Sequence, residues 1–149
     1  MERLKRVDEH ARHVLARAEH LQGTLVHVAQ RVDAARGQGI AGWVAEHKEP
    51  VIIADAYSDQ RFFSGIDRRS GFHTHSMICI PLQVDERTIG ILQAINRQFG
   101  RFSEHDLALM QALGGPLAAA IENANLHAVV LAEKRRIETA AASDGRAPL

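Results

Sequence analysis

Along the first segment, Leu4, Val7, Ala11, Val14, Ala18 and Leu21 recur at spacings of three and four, with Glu, Arg, Lys and His between them. That spacing predicts an amphipathic helix over residues 1–22. A seam of about three heptads is marginal for an independent coiled coil, so its stripe is expected to pack on the domain's own sheet or on a second copy of the helix. Gln22-Gly23 ends the pattern and the period changes to two. Thr24, Val26 and Val28 alternate with Leu25, His27 and Ala29, which predicts a strand near 24–31. Three further strands are expected at Val51 to Ala54, Ser76 to Leu82 and Thr88 to Asn96, the last two joined through QVDER as a hairpin. The sheet should then be largely antiparallel. Apolar runs such as MICIPL suit strands covered on both faces, which calls for helices on each side.

Helical spacing returns in the last third of the chain. Ser103 with Asp106 three positions on reads as a capping box, and Leu107, Met110, Leu113, Leu117, Ile121 and Ala124 supply a core stripe. Gly114-Gly115-Pro116 interrupts it. A proline inside a helix removes a backbone bond and costs about 3 kcal/mol, so a kink or break is expected near 114–116. Residues 127–140 read as an outgoing helix, with Leu126, Val129, Val130, Leu131 and Ile137 left partly exposed in a lone chain. The tail 141–149, AASDGRAPL, has too few apolar residues to order itself. The domain core is accordingly placed at 23–126.

Composition narrows the function classes. At 149 residues and 46% hydrophobic, the chain can bury one domain's core. Eighteen basic residues balance eighteen acidic ones, so the electrostatic footprint of a nucleic-acid binder is absent. Cys79 is the single cysteine, which excludes an internal disulfide. No apolar run suits a membrane span or a secretion signal, and the cytoplasm is the expected compartment, without a membrane partner.

Glycines 37, 39 and 42 surround Ile40, Ala41, Trp43 and Val44, a tight turn running into a short apolar helix. GQGIAG lacks the spacing and the Lys-Ser/Thr ending of a phosphate loop. Taken with GQGIAGWVAEHKEPVIIADAYSDQRF, DRRSGFHTHSMICIPL, GILQAIN and AAAIENANL, in that order over residues 37–126, the chain resembles the ligand-sensing GAF domain family. The resemblance implies an α+β fold: a central antiparallel sheet, the N- and C-terminal helices on one face, and short helices and loops roofing a ligand pocket on the other. Members place two strands before the glycine block where one is clear here. Either the first helix runs through Leu21, which the heptad pattern favours, or His13 to His20 is a strand.

The resemblance also marks residues. Thr74, Ser76 and Met77 stand where relatives line the pocket. Relatives that bind cyclic nucleotides carry Asn-Lys, then Phe, three residues, then Asp-Glu; Asn96, Arg97, Phe102 and Asp106 match, with Arg for Lys, and Leu107 stands in place of the Glu. This set implies a structural lock in which Arg97 pairs with Asp106 to tie a strand end to the last helix. Asp67 lies in a charged, turn-rich stretch, and Phe62 and Phe63 are adjacent aromatics there. Neighbours rarely share a face, so one phenylalanine is expected to anchor the loop, and the other either anchors it as well or stacks on a planar ligand. Asp55 and Asp59 read as cap and turn residues.

Candidate chemistry is sparse. His73 and His75, one residue apart, would put both rings on one face of a strand, which a metal could use, but no third ligand is evident and no metal site is assigned. Cys79 between Ile78 and Ile80 reads as a small core residue. No nucleophile and base pair stands out. The expectation is a non-catalytic small-molecule sensor or regulatory domain that couples pocket occupancy to helix packing in a homodimer, together with an output domain or partner protein. Its ligand is not named by the sequence, a cyclic nucleotide being one candidate, and no cofactor is assigned. The alternatives are a ligand-free dimerisation scaffold and a cyclic-nucleotide-, haem- or metal-binding module of the same family.

Overall fold

The computed structural model describes residues 25–29, 38–97 and 100–145. The expected helix over 1–22, with its helix-or-strand alternative at 13–20, lies outside them. The chain divides into two compact units at Ala118/Ala119.

In the first unit, β1 (Leu25–Ala29), β2 (Val51–Ile53), β3 (Met77–Val84) and β4 (Arg87–Ile95) form an antiparallel sheet in the order β1-β4-β3-β2. Between β1 and β2 lies α1 (Gly39–His47). Gly39 begins it at φ 70°, a backbone conformation that favours glycine, and Lys48 ends it at φ 58°, its N–H bonded to the Val44 carbonyl at 2.8 Å. A single 3-10 turn (Ala56–Ser58) and the short helix α2 (Gly65–Ser70) separate β2 from β3.

Each strand of the β3–β4 pair presents apolar residues to both sides, as the unbroken apolar runs require. On one side Met77, Cys79, Ile91 and Ile95 join Ile40, Val44 and Ala45 of α1, together with Ile53 and Ala56, in one buried cluster. On the other side Ile78, Ile80, Leu82, Leu92 and Ala94 are buried. Burying each of the larger of these side chains stabilises the fold by about 1.5–3 kcal/mol.

The register explains how β3 tolerates a proline. The Ser76 carbonyl accepts the Asn96 N–H, so even-numbered residues of β3 bond toward β4 and odd-numbered ones toward β2. Pro81 therefore turns its nitrogen to the β2 side. There β2 reaches only Met77 to Cys79, so the missing N–H removes no ladder bond.

The hairpin is tighter than the five-residue QVDER connection expected. Only Asp85 and Glu86 lie between the strands, at φ 47° and 63°. Two successive left-handed residues give the turn whose twist matches that of the flanking strands, and a register shift at Leu82/Gln83 absorbs the offset. Lys48 Nζ donates to the Glu86 carbonyl at 2.8 Å and pins the turn to the end of α1.

The last helix, α3 (Glu104–Asp144), begins in the first unit and continues in the second. It runs through Gly114-Gly115-Pro116 without the expected break. In the first unit, Gly114 explains part of this: a Cβ there would stand 3.1 Å from Ile80 Cδ1, so its absence lets the helix approach β3 closely enough for packing to offset the proline. The helix also continues past the expected end of order at 141. Ala140, Ala141 and Ala142 have the highest helix propensity, and Ser143 Oγ returns a bond to the Ala140 carbonyl at 2.8 Å. In the second unit, Leu126, Val129, Val130 and Ile137 are exposed.

Candidate functional site

The sheet face carrying Met77, Cys79, Ile91 and Ile95 is bordered by residues 54–76, a stretch held by side chain to backbone bonds more than by regular structure. Asp55 caps the 3-10 turn: its Oδ1 accepts the Tyr57 N–H at 3.1 Å and its Oδ2 the Ser58 hydroxyl at 2.6 Å. The Ser58 bond foremost holds the Asp55 carboxyl below its ordinary value. The Ala56 N–H bonds the His75 carbonyl at 2.7 Å, which docks the turn on the segment entering β3.

Asp67 of α2 is the knot of this border. Only 5% exposed, it accepts the Thr74 N–H at 2.7 Å, the Thr74 hydroxyl at 2.9 Å and the Tyr57 hydroxyl at 2.9 Å. A buried carboxylate requires such donors, and these three come from two residues, Tyr57 of the 3-10 turn and Thr74 before β3. Burial first, and the Asp67 carboxylate second, push the Tyr57 phenol above its usual range.

Aromatic rings line the rim. Tyr57 lies 5.0 Å from Phe62 at a 57° tilt and stacks on His73 at 4.6 Å, and the His73 and His75 rings meet edge to face at 4.4 Å. Phe62 packs against the buried cluster, whereas Phe63 is 42% exposed. Gly65 leaves space for the latter, since a Cβ there would stand 2.6 Å from the Phe63 ring. Along α1, Trp43 stacks on His47 at 4.2 Å and carries the Arg61 guanidinium 4.5 Å from its ring centre. Arg61 donates to both oxygens of Asp59, at 2.9 and 2.7 Å, which lowers the Asp59 carboxyl and raises the guanidinium.

Asn96, the residue after β4, closes the arrangement. At φ 55°, its Oδ1 accepts the His75 N–H at 2.6 Å and its Nδ2 donates to the His73 carbonyl at 2.8 Å. Arg97 donates through Nη1 to the Arg101 carbonyl at 3.0 Å and to Asp106. Asp106 also completes a reciprocal cap with Ser103, accepting the Ser103 N–H at 2.7 Å while its own N–H reaches Ser103 Oγ at 3.3 Å. The Ser103 donors foremost, and then Arg97, hold the Asp106 carboxyl below its usual range.

Of the residues singled out in sequence, Asp67 and Thr74 meet directly, Ser76 and Met77 are buried beside them in the chain, and Phe62 and Phe63 border the same stretch. Asn96, Arg97 and Asp106 stand at the junction of β4 and α3, with Phe102 half-buried between them in sequence. Tyr57 was missed, although it is the only tyrosine and lies in a turn-rich block beside two phenylalanines. The Trp43–Arg61 contact had no local signal. Cys79 is fully buried, and burial pushes its thiol up to about 12. Among the described residues, no three His, Cys, Asp or Glu side chains converge as metal ligands.

The GAF domain family matches residues 6–121, and the chain belongs to it. A stretch of 95 residues, 62% of the chain, is 44% identical to 10% of the dual 3′,5′-cyclic-AMP and -GMP phosphodiesterase 11A of Takifugu rubripes. A stretch of 103 residues, 67% of the chain, is 37% identical to 12% of the cGMP-specific 3′,5′-cyclic phosphodiesterase of Drosophila virilis. The chain thus spans about a tenth of the length of these curated relatives. Among solved structures, the GAF domain of a phosphoenolpyruvate-protein phosphotransferase from Coxiella burnetii is similar at a TM-score of 0.59 and 19% identity, over 82% of this chain and 86% of that one. Free methionine-R-sulfoxide reductase from Neisseria meningitidis is similar at 0.58 and 17%, over 83% and 89%. These two share the fold. The chain is a sensor and regulatory type of domain, and its similarity to the phosphodiesterases covers only their GAF region.

Proposed function

We propose that the domain is a non-catalytic sensor of a purine cyclic nucleotide, bound beside the α1-covered sheet face at the rim formed by Phe62, Phe63, Asp67, Thr74, Ser76 and Met77. The observation that carries this reading is the 44% identity to a dual cyclic-AMP and -GMP phosphodiesterase. The local chemistry agrees with it. A purine needs an apolar, aromatic surface for its ring, and the half-exposed Phe63 ring offers one face. Asp67, committed to Tyr57 and Thr74, acts by holding the rim in shape. Asn96, Arg97, Phe102 and Asp106 form the lock that fixes the β4 end against the start of α3.

Two features favour sensing over catalysis. The relatives' likeness is confined to a tenth of their length, and Cys79 is buried and protonated, unable to act as a thiolate. The sensor would act in the cytoplasm; no helix among the described residues is long and apolar enough to cross a membrane. The exposed Leu126, Val129, Val130 and Ile137 supply an apolar stripe through which two copies would pair, upstream of an output domain or partner. A nucleotide shifts that pairing only by its difference in affinity for the two arrangements.

Calorimetry with cyclic AMP and cyclic GMP, and with the linear monophosphates as controls, tests the reading. Saturable binding of one cyclic nucleotide, weakened at least tenfold in Phe63→Ala, supports it. Absence of binding to both at millimolar concentration overturns it and leaves the dimerisation scaffold as the function.

A further inference from the structure

We propose that His73 and His75 form a site for one exchangeable divalent transition cation, Cu²⁺, Ni²⁺ or Zn²⁺, on the rim of the sensing face. The two residues stand one apart in the segment entering β3, and their rings meet on one side of it. Both are exposed, and their ring centres are 4.4 Å apart. Two imidazoles so placed can share one ion at metal–nitrogen distances of about 2.0–2.1 Å.

The backbone under them is already ordered. Asn96 bonds the His73 carbonyl and the His75 N–H, and Ala56 bonds the His75 carbonyl. Only the side chains remain to be ordered when an ion binds, which lowers the entropic cost of chelation. The Ala56 bond also brings Asp55 alongside, and its carboxylate interacts electrostatically with His75. A negative charge there favours a cation.

Donor chemistry narrows the ion. Imidazole suits Zn²⁺, Cu²⁺ and Ni²⁺, whereas Mg²⁺ and Ca²⁺ seek oxygen ligands. No third side chain completes a cage among the described residues, so water fills the other positions and the site is open and reversible.

Occupancy has a structural consequence. Edge-to-face rings do not aim their nitrogens at one point, and His73 also lies flat on Tyr57. His73 carries its nitrogens in the plane of its ring, so it can stay stacked on Tyr57 while His75 turns to bring a nitrogen to the same ion, which places the cation beside the Tyr57 ring.

The test titrates Zn²⁺ alone into the full chain and follows the ring signals of Tyr57, the only tyrosine, by ¹H–¹³C NMR, with calorimetry in parallel. Expected is a saturable shift of the Tyr57 signals that tracks one calorimetric equivalent. In His75→Ala, which leaves the stack in place, the apparent affinity for that shift should fall at least tenfold. The shift should persist in His105→Ala, a control histidine outside the pair. Tyr57 signals that stay still in Zn²⁺, or that move equally in His75→Ala, overturn the proposal. Thermal unfolding of the variant without metal verifies that it is folded. No nucleotide enters the titration, so its outcome is independent of the cyclic-nucleotide reading.

Discussion

Asp67 shows how much of this domain depends on single polar side chains. Its carboxylate gathers Tyr57 from the 3-10 turn and Thr74 from the entry to β3, and with Asn96 it positions a loop that has little regular structure of its own. Gly65, two residues earlier, has a different part: it leaves space for the Phe63 ring. In Gly65→Ala the new methyl would overlap that ring, whose outer edge is free to swing because the residue is 42% exposed. The expected result is a stability change within about 0.5 kcal/mol by urea unfolding, accompanied by roughly tenfold weaker nucleotide binding, a loss of about 1.4 kcal/mol. Equal affinity in the variant would remove Phe63 from the ligand contact.

Among the elements, the β3–β4 hairpin carries a recognisable strain. Glu86 adopts φ 63° in a turn that glycine fills best, and its side chain is not what Lys48 grips, since the bond is to its carbonyl. Glu86→Gly should therefore stabilise the domain by about 0.5–1 kcal/mol, read as a higher urea midpoint at unchanged slope. The start of α3 gives a second prediction. Asp106 is held below its ordinary value of 3.8 by the Ser103 donors and Arg97, so its contribution is present above the unfolded value and is lost as the pH falls through the folded one. Wild type should be more stable than Asp106→Asn at pH 7, and the gap should close below about pH 4 in denaturation series run across pH. A gap independent of pH would assign the effect to the cap's geometry instead of its charge.

For the whole molecule, the exposed apolar residues of the second unit matter most. Leu126, Val129, Val130 and Ile137 are 57%, 66%, 64% and 61% exposed, and through them the proposed dimer would form. Light scattering should give the mass of two chains at tens of micromolar and of one chain in the double variant Val130→Glu, Ile137→Glu. Circular dichroism should still report the folded sheet of the first unit. A monomeric wild type would discard the dimer and, with it, the coupling proposed for the sensor.

What the sequence determined by itself was whatever repeats locally. The period-two run marked β1, the short apolar runs marked β3 and β4, the stripe from Leu107 to Ile121 marked α3, and Ser103 with Asp106 announced its cap, because each signal lies within a few residues of its effect. The family pattern was legible for the same reason, being carried by ordered blocks. Only the tertiary structure decided that α3 passes Pro116, where Gly114 sits against Ile80, and that Tyr57 joins Asp67 and His73. It alone showed that Asn96 grips residues more than twenty positions earlier in the chain. Those contacts link side chains whose separation follows no period, so their geometry exists only once the sheet has brought the segments together.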